Sequence, residues 1–350
     1  MSDDGILILK GDDVAALLDG REQEIIDAVR GAYLTHGAGD SSLPHSSFLR
    51  FPREQANRII ALPTYLGGEF NVAGIKWIAS FPANIGRGMD RASAIVILNC
   101  PDTGRPRAII EGSIISARRT AASAALAAKV LHRDGRGEES RLGLIGCGLI
   151  GFEIVRFALA AIPGLRGLVI CDTSADRAEQ FKRACLDTFK DLEVETVGET
   201  RAALGRASLV AIATTATEPH ISDLSACAPG STILHVSLRD LAPEAILSCD
   251  NVVDDIDHVC RAQTSVHLAE QKTGNRDFIR CELADILSGR AAGKSSEAIS
   301  VFSPFGLGAL DMAVSKLVYD LALQTGRGQS ISSFLPTPWR AAETHEEREI

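Results

Sequence analysis

Six consecutive residues, Gly146-Cys147-Gly148-Leu149-Ile150-Gly151, set three glycines at GxGxxG spacing between the apolar run LGLI and the helix-like segment FEIVRFALAA. Between a strand and a helix this spacing makes a phosphate cradle. The first glycine allows a tight turn, the second lets backbone approach a pyrophosphate, and the third lets the helix pack closely on the strand. Leu149 and Ile150 open the helix, whose first N–H groups are free to meet an anion. The next apolar run, GLVICD, ends at Asp172, where a carboxylate can hold the hydroxyls of an adenine ribose. Its charge repels a 2′-phosphate, so these residues predict NAD as the cofactor rather than NADP; Arg177, farther along, offsets that charge only in part. A Gly-rich turn with no nucleotide is the plainer alternative, disfavoured by finding strand, glycines, helix and acid in order. Thr214 and Thr215 end another apolar run, SLVAIATT. Their hydroxyls emerge at the carboxyl edge of the sheet, either to touch the cofactor or simply as β-branched strand residues.

A second set of residues has the right chemistry for an anionic substrate. Lys76 interrupts the aliphatic strand GIKWIASF, where burial would lower its pKa and suit it to proton transfer; snorkelling from a strand end is the alternative. Arg118 and Arg119 precede TAASAALAA at the start of an Ala-rich helix, a place where the helix dipole disfavours cations, so an anion is expected there. Arg91 in DRASA and Arg50 in SSFLRFP are weaker candidates for the same pocket. Asp240, just beyond the strand STILHVS, is expected to face the nicotinamide crevice as an acid/base group, or else to cap a helix starting near Pro243. His45, His220 and His235 are further acid/base possibilities, each also readable as a hydrogen-bonded structural residue. No metal site is expected: the eight cysteines lie singly, without CxxC pairs or a histidine at ligand spacing.

These residues must be positioned by two kinds of architecture. Up to the Ala-rich helix, the chain mixes helices with the strands RIIALPTYL, VAGIKWIASF and AIVILNC, the last turning through Pro-Asp-Thr-Gly into RPRAIIEG. Asp12 or Asp13 is expected to cap a first helix, and Ile25, Ile26, Val29 and Tyr33 mark the apolar face of a second. After the charged linker HRDGRGEES, short apolar strands alternate with helical segments, as in a doubly wound parallel sheet. The expected fold is therefore α/β, with a Rossmann-type NAD-binding domain over residues 133–304. An α+β domain for substrate and dimerisation combines residues 1–132 with 305–350. A net charge of −9 disfavours nucleic acid and anionic membranes. The acidic start MSDDGILILKGDD lacks a secretion signal, and no run is long enough for a membrane helix, so a cytoplasmic protein is expected.

The segments GIKWIASFPAN, TGRPRAIIEG, ISARRTAASAALAAKVL and LGLIGCGLIG, in this order over nearly the whole chain, resemble the ornithine cyclodeaminase/mu-crystallin family. HSSFLRFP, HVSLRDL, HLAEQKTGNRDFI and VFSPFGLGALDMAV are most similar to its diaminopropionate-forming branch, which serves siderophore and peptide natural products. The resemblance implies a homodimer and an amino-acid substrate whose carboxylate is bound by Lys76 and Arg119. It also implies that Asp240 handles the amine or activates water; Arg50 is a looser match. RASA at Arg91 departs from the cyclodeaminases, which favours a substrate other than ornithine. The implied activity is NAD-dependent cleavage of N-(2-amino-2-carboxyethyl)-L-glutamate to L-2,3-diaminopropionate and 2-oxoglutarate. Its several carboxylates suit Arg50, Lys76, Arg91 and Arg119 together. Ornithine cyclodeaminase, an alanine or imine dehydrogenase, and a crystallin-like binding protein without turnover are the alternatives. An acid/base set at Lys76 and Asp240 disfavours the last.

Overall fold

The computed structural model describes residues 5–132, 140–293 and 297–336. Most of the charged linker, the first four residues and the polar tail lie outside them. Seven strands come from the first third of the chain: β1 (Ile6–Leu9), β2 (Ser41–Ser42), β3 (Ser47–Phe51), β4 (Glu54–Leu66), β5 (Val72–Ser80), β6 (Ala92–Asn99) and β7 (Pro106–Glu111). Eight more follow: β8 (Ser140–Ile145), β9 (Leu165–Cys171), β10 (Glu193–Thr196), β11 (Leu209–Ile212), β12 (Thr232–His235), β13 (Asp250–Val253), β14 (Ile279–Glu282) and β15 (Ser300–Ser303). A last short strand, β16 (Gln329–Ile331), returns to the first group.

The first sheet is mixed, in the order β16-β1-β7-β6-β5-β4-β2, with β3 also on β4. Its centre is the antiparallel run of β4 to β7, made by long β-branched segments and the Pro-Asp-Thr-Gly turn, where Gly104 takes φ 70°. Side chains alternate across the pleat, so the register fixes which residues share a face. Arg50, Arg58 and Lys76 point one way; Leu49, Tyr65, Trp77 and Ile95 point the other. β1 has no period-2 signal because it is almost wholly buried, and the polar edge strand β16 has no apolar pattern at all.

The second sheet is parallel throughout, in the order β10-β9-β8-β11-β12-β15-β13-β14. The order reverses at β8, whose neighbours β9 and β11 lie on opposite sides, and a crevice opens beyond the carboxyl ends of β8 and β11 at this switch point. Between the two sheets runs the helix Ser113–Leu131, packed on the helices Glu22–Gly37, Leu149–Ala161 and Gly308–Thr325 as well as on β6 and β12. Alanine both favours the helix and permits this close approach on several sides, and most of its residues are buried.

Two local expectations are corrected. Neither Asp12 nor Asp13 caps the first helix, Gly11–Leu18; Lys10 is the cap residue, and Asp13, in the first turn, accepts from the Lys10 N–H at 3.1 Å. Arg118 and Arg119 lie beyond the first turn of a helix that already begins at Ser113, so the helix dipole does not explain them. Arg118 is structural, donating to the Leu18 carbonyl at 2.5 Å.

Candidate active site

Two adjoining cavities lie between the sheets. The larger, about 1110 Å³, is bordered by Gly146, Cys147, Gly148, Leu149 and Ile150 after β8, by Asp172 after β9, and by Thr214 and Thr215 after β11. Gly146 adopts φ 101°, and a Cβ there would come within 2.6 Å of the Ala213 carbonyl oxygen, so the turn requires glycine. Gly148 differs: a Cβ there would meet no protein atom within 4 Å, so its backbone faces open space at the start of the helix Leu149–Ala161. Gly151 lies inside, where a Cβ would meet the Gly146 carbonyl oxygen at 2.7 Å and Leu144 at 3.1 Å. The close packing expected of it is present. Asp172 accepts from the backbone N–H groups of Cys147 and Ser174, each at 2.9 Å, which ties the glycine turn to the end of β9. Arg177, on the helix Ala175–Thr188, lies 3.4 Å from the same carboxylate at the cavity wall. A cradle open at Gly148, a helix amino terminus and an acid at the next strand end suit a dinucleotide.

The smaller cavity, about 220 Å³, shares Ile78 and Ser116 with the larger one. At its inner end Lys76, on β5, donates to Asp311 at 2.7 Å and to Ser116 at 3.3 Å. Arg119 donates through Nε to the other oxygen of Asp311 at 3.0 Å. All three side chains are at least nine-tenths buried, and Asp311 is in the first turn of the helix Gly308–Thr325, where the dipole favours a carboxylate. Burial, and after it repulsion from Arg119, lowers the Lys76 pKa to about 8 against the pull of Asp311. An ammonium so placed can bind a carboxylate or exchange a proton near neutral pH. Arg50 on β3 lines the same cavity, joined by two residues without a local sequence signal, Arg58 on β4 and Arg239 beyond β12.

Arg91 is not in this group. It lies just before β6 and borders the larger cavity, its Nη1 donating to Ser80 at 3.3 Å. β6 starts at residue 92, opposite Ser80, so the Arg91 side chain falls at the sheet end, on the side of the larger cavity. Asp240 also departs from expectation. Its carboxylate is fully buried and borders neither cavity. It reaches the crevice through Thr214, which donates to it in a very short contact, and His220, whose Nε2 is 3.1 Å away; both line the larger cavity. Ser237 donates to its second oxygen. Burial works to raise the pKa of Asp240, but hydrogen bonds from His235, Ser237 and Thr214 outweigh it and hold the carboxyl well below the usual range. Nor does Asp240 cap the following helix, whose cap residue is Ala242. His235 is buried against Ser303, and His45 packs edge-on to His258. Among the described residues no group of three His, Cys, Asp or Glu side chains could hold a metal ion, and no helix is long and apolar enough to cross a membrane.

Residues 12–326 match the ornithine cyclodeaminase/mu-crystallin family. An N-((2S)-2-amino-2-carboxyethyl)-L-glutamate dehydrogenase from Staphylococcus aureus is 28% identical over 94% of this chain and 99% of its own length. The Delta(1)-pyrroline-2-carboxylate reductase of Thermococcus litoralis, solved with NADH and L-proline, superposes with a TM-score of 0.85 at 26% identity over 93% of this chain and 100% of that one. An archaeal alanine dehydrogenase dimer with bound NAD gives 0.82 at 25% identity over 94% and 100%.

Proposed function

The chain belongs to the ornithine cyclodeaminase/mu-crystallin family, and we propose that it is an NAD-dependent dehydrogenase cleaving N-(2-amino-2-carboxyethyl)-L-glutamate. Substrate, water and NAD would give L-2,3-diaminopropionate, 2-oxoglutarate, NADH and a proton. The coarser activity, oxidation and reduction at the CH–NH bond of an amino acid, is common to its relatives. NAD, held along the glycine turn and Asp172, supplies the acceptor for the electron pair. The observation that carries the finer reading is the smaller cavity: five of its lining residues are cations and none is an acid. Such a wall suits a substrate with more than one carboxylate and repels the terminal ammonium of ornithine. Alanine, with a single carboxylate, would leave most of these cations without an anion.

The roles of the residues follow from their places. Lys76 and Arg119, oriented by Asp311, bind the α-carboxylate, and Lys76 can take up or release a proton at the neighbouring nitrogen. His220, held by the anionic Asp240, presents its ring to the larger cavity, where it can move a proton to or from a water molecule. Asp240 is thus a positioning residue. Homodimerisation belongs to the same proposal: Leu49, Tyr65, Trp77 and Ile95 are exposed on the face of the mixed sheet opposite the site. So does a cytoplasmic setting, in keeping with eight unpaired cysteines of which seven are buried.

Turnover with N-(2-amino-2-carboxyethyl)-L-glutamate, L-alanine and L-ornithine, each with NAD, tests the reading. The glutamate conjugate is expected to give the highest kcat/KM; a higher value with either of the others would displace it.

A further inference from the structure

Three arginines, Arg50, Arg58 and Arg239, line the smaller cavity without contacting Asp311, the carboxylate that Lys76 and Arg119 share. Arg50 and Arg58 are directly opposed partners in the β3–β4 register. Like charges directly opposite on a sheet repel. Among the described residues neither forms a salt bridge with a carboxylate; Arg50 lies over the Phe48 ring at 5.6 Å. Arg239 approaches from the other domain and donates to the Ala262 carbonyl oxygen at 2.8 Å. The acid nearest to it in the chain, Asp240, already accepts from Thr214 and Ser237. The arginine Coulomb fields overlap, since Arg239, Arg91 and Arg50 each add to burial in lowering the pKa of Arg58.

The backbone here is also strained. Leu238, Ala262 and Gln263 have φ of 68°, 54° and 55°, three of the six non-glycine residues with positive φ among the described residues. Leu238 and Ala262 line the cavity on either side of the Arg239 hydrogen bond. Non-glycine residues in this region are held there by their surroundings, and such strain gathers at ligand sites. Unpaired, converging arginines beside strained loops make sense when an anion joins them.

We propose that Arg58 and Arg239, together with Arg50, form a second anion subsite, distinct from Lys76, Asp311 and Arg119, that receives a distal carboxylate of the substrate and selects dicarboxylates over monocarboxylates. This rests on the reading of the cavity as the amino-acid site. It assigns specificity to Arg58 and Arg239 and leaves the α-carboxylate to the inner cluster.

Binding of 2-oxoglutarate and of 2-oxopentanoate, which carries a methyl group in place of the distal carboxylate, to the protein–NADH complex tests it by calorimetry. The unmodified protein is expected to bind 2-oxoglutarate about 10- to 100-fold more tightly, the range of a charge-assisted hydrogen bond. Arg58→Gln and Arg239→Gln should each remove most of that ratio by weakening 2-oxoglutarate alone, with melting temperature unchanged, and Arg58→Lys should restore part of it. Equal binding of the two acids by the unmodified protein, or variants that weaken both alike, would overturn the subsite. Selectivity lost in the variants without any NADH from N-(2-amino-2-carboxyethyl)-L-glutamate would uphold the subsite and sink the proposed activity. NADH formation with no selectivity would do the reverse.

Discussion

Replacing Asp311 by alanine should unsettle the protein more than most changes near a ligand site do. Asp311 is fully buried and bridges Lys76 at 2.7 Å and Arg119 at 3.0 Å. Its loss leaves two buried cations facing each other without a counter-charge. Removing one partner of a buried ion pair costs about 3–5 kcal/mol. Lys76 can limit its share by shedding a proton, because its pKa is already only about 8 and would fall further without Asp311. Each unit of pKa below the ambient pH then costs about 1.4 kcal/mol less than keeping the charge buried. Arg119 has no such escape. A total of about 3–5 kcal/mol corresponds to a melting temperature lower by roughly 10 °C, taking about 2–4 °C per kcal/mol for large domains. Thermal scans of the parent and Asp311→Ala measure this directly. Added 2-oxoglutarate should raise the melting temperature of the variant more than that of the parent, since a bound carboxylate replaces the missing anion. Lys76→Met in the same background should recover part of the loss, as one of the two stranded charges is gone. A variant that melts within 1–2 °C of the parent, as roughly expected for a neutral surface change, would refute the bridging role.

Gly148→Ala should leave melting of the cofactor-free protein unchanged, because the new methyl group meets no protein atom within 4 Å, yet weaken NAD binding at least about tenfold by filling the cradle, as calorimetry would show. Asp172→Ala should narrow the preference for NAD over NADP by weakening NAD; tighter NADP binding by the unmodified protein would reverse the cofactor assignment. The depressed Lys76 pKa sets a pH dependence in which the ammonium is charged below about 8 and neutral above it. KM for a carboxylate substrate should therefore rise above pH 8, by up to about tenfold per unit, and lose this dependence in Lys76→Met. The unfolded chain holds that proton more tightly, so the same group lowers stability below about pH 8, a deficit that fades as pH rises toward the ordinary lysine value of 10.5. On the proposed roles, Asp240→Asn should depress kcat with little change in KM, and His220→Ala should do the same, since the carboxylate holds that ring at 3.1 Å.

The glycine turn and its setting were legible in the sequence because the parts are contiguous: a strand, three glycines, a helix and the acid that ends the next strand. Lys76 was legible as a charge out of place among aliphatic residues, whereas Arg119 was marked only by the family resemblance, since the helix begins already at Ser113 and the dipole argument for it fails. Asp311 bore the same mark, a lone acid in the apolar run LGALDMAV, and could have been found by the reasoning applied to Lys76. Arg58 and Arg239 could not, because their meaning comes from the β3–β4 register and from the loop after β12 of the parallel sheet, both of which arise only on folding. Asp240 shows the limit of reading position from a strand end. The carboxyl edge placed it near the crevice, but whether the carboxylate or its partners reach the cavity depends on packing. The separation of Arg91 from the other cations has the same origin, a strand boundary one residue away.

The most direct test follows products during steady turnover with N-(2-amino-2-carboxyethyl)-L-glutamate and NAD, recording NADH by absorbance and 2-oxoglutarate and 2,3-diaminopropionate by mass spectrometry. All three should accumulate in equal amounts, with little proline formed from ornithine in a parallel reaction. Proline and ammonia from ornithine, with no NADH from the glutamate conjugate, would contradict the account.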